Sequence, residues 1–233
     1  MARRRKSAGW GIRIAGFLLL AGLAAGAWFW WDLQKWTPSE DAYPDQGVLI
    51  GQGNGAVNFN TLAALGANFV YLESSIGNHG LDQRFAKNFA AAKEAGLEVG
   101  AVHHFDPCAL ADGQSANFFT IVPRERGLMP PVIALAETAE NCEKRVSDAA
   151  VESELMTLIN QIENHTGKPA ILKVDPAFEA AYEISARLER NLWVTRTRFA
   201  PTYARRPWLL WSANEALRSE ASEQPVEWVV VQP

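Results

Sequence analysis

The chain has 233 residues, 48% of them hydrophobic, and a net charge of −4. That length suits one domain of roughly 200 residues plus an appendage. The charge is divided unevenly: positions 1–13 carry Arg3, Arg4, Arg5, Lys6 and Arg13, leaving 17 basic against 26 acidic residues, a net −9, in the remainder. An acidic body excludes nucleic acid as the partner, because phosphate binding needs a basic face.

The first predicted element is a membrane segment. Positions 14–31 are 18 uncharged, mainly apolar residues, a helix about 27 Å long that spans a bilayer's hydrocarbon layer with help from its flanks. The basic cluster at 1–13 predicts a cytoplasmic N-terminus, and Trp28, Trp30 and Trp31 stand where an interfacial aromatic belt belongs. A cleaved signal peptide is the competing reading, since Ala25-Gly26-Ala27 fits a small-x-small cleavage site. Either way the body is exported, across the cytoplasmic membrane and into a periplasmic or extracellular space. Residues 32–46, with two prolines and several acids, read as a linker.

From residue 47 on, short apolar runs recur. Eight strand candidates lie at 48–50, 69–73, 99–104, 132–136, 170–174, 192–195, 208–211 and 226–231. Several are apolar almost throughout, as strands buried on both faces are. Between them lie amphipathic segments at 58–65, 82–95, 115–122, 146–164 and 176–190, the second ending at Gly96 and the last opening on Pro176. Alternation of strand and helix predicts a parallel sheet, and eight strands predict a closed β/α barrel over 47–233. The last three strands are too close for full helices between them, so the barrel is expected to be irregular. An open doubly wound sheet is the alternative. No Gly-x-Gly-x-x-Gly turn opens a helix, and Gly51-Gln-Gly-Asn-Gly55 lacks the Lys-Ser/Thr of a phosphate loop. The only cysteines, Cys108 and Cys142, follow the third and fourth strands at one end of such a barrel. In an oxidising compartment a disulfide between them is expected, with two separate buried thiols as the alternative.

The stretch Gly66-Ala-Asn-Phe-Val-Tyr-Leu-Glu-Ser-Ser-Ile-Gly77 is followed by Asp82-Gln-Arg-Phe-Ala-Lys-Asn-Phe-Ala-Ala-Ala-Lys-Glu-Ala-Gly-Leu-Glu-Val-Gly-Ala-Val-His103. Gln114, Phe118, Pro130-Pro131-Val132, Trp193 and Trp211 continue the series. In order and spacing these segments resemble the family 25 glycoside hydrolases, the lysozymes of fungi, phages and bacterial autolysins. The resemblance covers nearly all of residues 47–232 and implies an eight-stranded barrel short of helices. It implies hydrolysis of the muramic acid to glucosamine bond of peptidoglycan, without a metal or organic cofactor.

Such hydrolysis uses two carboxyl groups, one protonating the leaving oxygen and one stabilising or attacking the anomeric carbon. Here the family's Asp-x-Glu pair aligns with Ala134-Leu135-Ala136, its first-strand aspartate with Leu49, and the glutamate of its Lys-Ala-Thr-Glu-Gly stretch with Ile76. Its late Trp-Gln-Tyr aligns with Trp211-Ser212-Ala213. This pattern fits a barrel that has lost the parent reaction, a pseudoenzyme. Glu137 and Glu73 are the acids left as candidate catalytic residues, and each also reads as a solvated or salt-bridged loop acid. His103, Tyr71, Trp193 and Trp211 are the candidate sugar-binding residues, with barrel packing as the competing role. His79 and Asp106 with a strand histidine would make a sparse metal set, but no ligand spacing such as His-Glu-x-x-His occurs, and no metal is expected. Cys108 with His103 or His104 would make a nucleophile pair only if the thiol stayed reduced. Arg196, Arg198, Arg205 and Arg206 form a basic cluster suited to acidic peptide or lipid head groups, or to ordinary surface charge. Two functions follow: an anchored domain that acts on or recognises peptidoglycan, or a non-catalytic module that binds glycan or an unknown protein partner in the envelope.

Overall fold

The computed structural model describes residues 7–233. Arg3, Arg4, Arg5 and Lys6 of the basic segment lie outside the described residues. The first helix, α1 (Ser7–Leu33), is mainly apolar and is exposed over residues 10–31. Residues Trp10–Leu33 of it are long and apolar enough to cross a membrane.

The remainder is built on one sheet: β1 (Gln46–Ile50), β2 (Phe69–Ile76), β3 (Gly80–Leu81), β4 (Glu98–His104), β5 (Val132–Leu135), β6 (Ile171–Val174), β7 (Asn191–Thr195), β8 (Leu210–Leu217) and β9 (Val226–Val231). β1 pairs with both β2 and β9, so eight strands close into a barrel, and β3 folds back on the end of β2 as a short flap. The strands run parallel from β1 to β8 except for β3, whereas β9 is antiparallel to both its neighbours. The expectation of parallel strands throughout fails at β9 for a reason of chain length. Residues 218–225 are too few for a crossover, which needs a dozen or more, and a hairpin is what remains.

Helices α2 (Phe59–Ala64), α3 (Phe85–Glu94), α4 (Ala111–Ile121) and α5 (Asp148–Thr166) cover the early strands. Two of the starts are capped by side chains. Asn58 caps α2 by accepting from Thr61 N at 3.1 Å, and Ser147 caps α5 by accepting from Ala150 N at 3.3 Å. Gly167, at φ 70°, ends α5 in the left-handed conformation that a glycine adopts without penalty. Val151, Leu155, Leu158, Ile159 and Ile162 give α5 one buried face at helical spacing, and it packs beside α4. The expected helix 176–190 is instead two pieces, α6 (Pro176–Tyr182) and α7 (Ile184–Arg187), broken at Glu183 with φ 51°.

Two apolar layers result. Leu49, Phe69, Tyr71, Val102, Val132, Ala134, Ile171, Trp193, Leu210 and Val229 fill the barrel, while a larger core lies between its outer face and the helices. Because side chains alternate across a strand, this inner set fixes what reaches the open end. Continuing each strand by two brings Glu73, His104, Ala136, Lys173, Thr195, Ser212 and Glu227 to the mouth.

Candidate functional site

The mouth lies at the C-terminal ends of the parallel strands, where barrels of this kind carry their chemistry. Two cavities open there and share His104, Ala134 and Ala136. The larger, about 560 Å³, runs from the β2–β3 turn to the loops bearing Cys108 and Cys142, and Glu137 is on its wall. The smaller, about 120 Å³, is lined by Lys173, Asp175, Thr195, Glu215 and Glu227. Ala134 and Ala136 therefore stand on the inner face between them, with methyl groups where an acid on this strand would project.

The polar side chains of the mouth form two groups. Glu73 Oε1 lies 3.3 Å from His104 Nε2. That contact holds the Glu73 carboxyl below the usual carboxylate range, with Lys173 adding to it and burial opposing it. Room for the Glu73 carboxylate depends on Gly51, where a Cβ would sit 2.0 Å from Oε2. In the second group Lys173 Nζ is 2.7 Å from Glu227 Oε1 and 5.0 Å above the Trp193 ring. The Trp193 indole N–H donates to Ser212 Oγ at 2.6 Å, and the Ser212 hydroxyl donates to Glu227. Glu215 faces the same space. Burial and the charge of Glu227 push its carboxyl up, against the pull of Lys173.

The sequence-predicted residues are distributed differently from a single binding surface. Glu73 is on the inner face, paired to His104, and Glu137 is exposed on the wall of the larger cavity. Trp193 is the floor of the mouth, fully buried beneath Lys173. Tyr71 packs against Trp193 at 5.2 Å but lines a cavity at the opposite end of the barrel, with Asp45, Glu98 and Met129. Burial and the Glu98 charge push its phenol up. Trp211 points outward under Tyr43 and Trp208 and donates to Arg196 O at 2.8 Å. His103 is fully buried and faces α4, because it is its neighbour His104 that shares parity with the inner residues.

His103 organises a loop. Its Nε2 is 3.3 Å from Gln114 Oε1 and its Nδ1 2.8 Å from Ser75 Oγ. The acceptor at Gln114 places the proton on Nε2, and Ser75 donates to Nδ1. Gln114 in turn accepts from Asp106 N and donates to Asp106 O and Ala109 O, which ties down the loop that carries Cys108. A disulfide joins Cys108 to Cys142 across that loop and the one after β5, with Cα atoms 5.4 Å apart. His79 and Asp106 line the same cavity as the disulfide. No group of three or more His, Cys, Asp or Glu side chains among the described residues is arranged to hold a metal.

Burial pushes the His103 imidazole down to about 4. The unfolded chain, with an ordinary imidazole near pH 6.5, then binds the extra proton first. Its contribution to stability is complete above about pH 6.5 and is lost as pH falls toward 4, amounting to roughly 3 kcal/mol. Thermal melts from pH 7 to pH 4 are expected to show this loss, and His103→Gln is expected to flatten it over that window. An unchanged slope in the variant would assign the acid sensitivity elsewhere.

Lys173, Glu227 and Glu215 are the site residues that sequence reasoning passed over, and His104 and Ser212 were named there in other roles. A signal was available: Lys173 and Glu227 are lone charges inside otherwise apolar strand runs, Ala-Ile-Leu-Lys-Val and Val-Glu-Trp-Val-Val-Val. In a barrel a charge so placed has only the inner mouth to occupy.

The fold and the mouth define a β/α barrel of the glycosidase type, with one antiparallel closing strand. Residues 50–216 match the sequence model of the glycosyl hydrolases family 25, and the chain belongs to that family. It is 24% identical over 204 residues to a protein of Escherichia coli designated uncharacterized protein YegX, covering 81% of this chain and 70% of that one. Among solved structures, a family 25 glycosyl hydrolase from Bacillus anthracis superimposes with a TM-score of 0.76 at 23% identity, over 84% of this chain and 92% of the other. A bacterial lysozyme from Streptomyces coelicolor superimposes with a TM-score of 0.70 at 17% identity, over 81% and 92%.

Proposed function

We propose that the protein is a membrane-anchored module of the cell envelope that recognises peptidoglycan glycan strands in its barrel mouth without cleaving them. Residues 1–13 stay in the cytoplasm, 14–31 cross the membrane, 32–46 lead out, and 47–233 form the exported recognition domain. Family membership and the likeness to a lysozyme support the choice of ligand. One observation carries the loss of hydrolysis: β5 presents Ala134 and Ala136 to the mouth where the resemblance to family 25 calls for an acid pair. Two of the acids that remain already have partners, Glu73 beside His104 and Glu227 with Lys173 and Ser212. In this reading Glu137, on the wall of the larger cavity, offers a hydrogen-bond acceptor to sugar hydroxyls, and Trp193 supports the floor. His103, Tyr71 and Trp211 hold the barrel in shape.

One observation favours a second reading, in which residual hydrolysis uses Glu215. Its carboxyl is pushed toward the protonated form beside Glu227, as a proton donor's must be. Full-length protein in detergent micelles, mixed with purified sacculi, separates the two. Co-sedimentation with the sacculi and no release of reducing ends is the expected result. Release that disappears in Glu215→Gln would replace recognition by catalysis, and failure to co-sediment would end the peptidoglycan reading.

A further inference from the structure

The end of α1 does not leave the barrel at an arbitrary point. Asn214 Nδ2 donates to Leu33 O at 2.8 Å and to Trp36 O at 2.9 Å, and Arg218 N donates to Gln34 O at 2.7 Å. Asn214 and Arg218 flank Glu215, a residue of the mouth. The helix therefore departs from the mouth end of the barrel. Around this junction three cations rest on aromatic faces. Lys35 Nζ is 4.2 Å above Trp31, the Arg198 guanidinium is 5.5 Å above Phe29 and 5.7 Å above Trp36, and that of Arg196 is 5.7 Å above Phe199. Arg198 also pairs with Asp32 at 3.2 Å, which fastens the loop between β7 and β8 to the helix. Phe199, at the head of that loop, is 61% exposed and apolar.

Cations seated on aromatics beside an exposed phenylalanine, continuous with an apolar helix, have the chemistry of a membrane–water interface. Aromatic rings sit at the head-group level, and basic side chains reach from there to lipid phosphates. We propose that Lys35 and Arg196 bind the head groups of an anionic phospholipid bilayer while Phe199 enters the layer beneath them and Arg198 holds the loop to the helix, so that the β7–β8 side of the barrel is held at the membrane surface and the larger cavity, on the β2–β5 side, stays open. This rests on the reading of α1 as a membrane anchor. It goes beyond that reading because an anchor helix by itself assigns the barrel no contact with lipid.

The test uses the full chain in nanodiscs of phosphatidylcholine, with or without phosphatidylglycerol. A nitroxide is attached at Phe199→Cys or, separately, at Arg126→Cys, an exposed site in the loop before β5 at the far end of the barrel. The native cysteines are bonded to each other and do not take the label. In discs with phosphatidylglycerol the label at 199 is expected to show a several-fold higher ratio of oxygen to nickel-chelate accessibility than the label at 126. Lys35→Glu with Arg196→Glu is expected to return the 199 label to the aqueous ratio while the protein stays in the disc. A water-exposed 199 label, or one equally immersed in pure phosphatidylcholine, overturns the proposal. Binding to sacculi with a water-exposed label fails this inference alone, whereas an immersed label without sacculus binding fails the peptidoglycan reading alone.

Discussion

Lys173→Ala is expected to destabilise the barrel by about 3 kcal/mol and to abolish retention on sacculi. Lys173 is the cation of the inner mouth: it pairs with Glu227 at 2.7 Å, both side chains being less than one-fifth exposed, and it covers the Trp193 ring. Its removal leaves the Glu227 carboxylate with Ser212 but no counter-charge, and leaves Glu215 facing an unneutralised neighbour. Deleting one partner of a buried ion pair costs about 3–5 kcal/mol, most of it from the stranded charge, and the partial exposure here argues for the lower end. Denaturant titration followed by tryptophan fluorescence measures the loss. The double variant Lys173→Met with Glu227→Gln removes the stranded charge and is expected to regain most of the stability. Sacculus retention is not expected to return with it, since no charged head then stands above the Trp193 floor. Recovery of both would make Lys173 a packing residue only. A loss under about 1 kcal/mol in the single variant would show that water already screens the pair.

Removal of the disulfide by Cys108→Ser with Cys142→Ser is expected to cost about 4 kcal/mol and to lower the melting temperature on the order of 10 °C. The bridge closes a loop of 34 residues in sequence separation, so most of its effect falls on the unfolded chain, whose freedom it restricts. In the folded protein the two sulfurs also form one wall of the larger cavity, beside Asn141, Glu143 and Glu137. Reduction with dithiothreitol should reproduce the melting shift in the parent protein and have no effect on the serine variant. A parent melting temperature indifferent to reductant would show that the hydrogen bonds of Gln114 and Asp106 hold the loop without the bridge. Sacculus binding is expected to weaken in the serine variant at temperatures where the barrel is still folded, because the cavity wall is then two loops free to part.

Strand existence was legible in particular runs. Residues 69–72, Val132–Leu135 and, but for Lys173, Ile171–Val174 are apolar throughout, which is how strands buried on both sides appear. The direction of β9 was not legible, since strands at 208–211 and 226–231 leave 14 residues between them and only the extension of β8 to Leu217 shortens the link to eight; nor was the break at Glu183, since nothing in Tyr182-Glu183-Ile184 forbids a helix. Inward and outward facing was the harder problem. Where both faces of a strand are apolar, composition does not tell them apart, and a bulge at Glu73 to Ser75 shifts the register between β2 and β4. Hence His103, the one expected at the mouth, and His104 exchanged places, and Trp211 carried no mark that Tyr43, from the segment before β1, would cover it.

The sequence by itself determined an N-terminal apolar helix, a barrel of eight short strands with its helices crowded into the first two-thirds, and alanines at 134 and 136 at the end of β5. These are properties of residue type and spacing, and they survive without coordinates. Only the tertiary structure decided that Lys173, Glu227, Ser212 and Trp193 form one network, that Glu73 is spent on His104, and that α1 leaves from the mouth end of the barrel. The reason is closure. Each of those contacts joins strands or segments far apart in sequence, and which side chains meet depends on register and parity around the whole ring, which no local run of residues encodes.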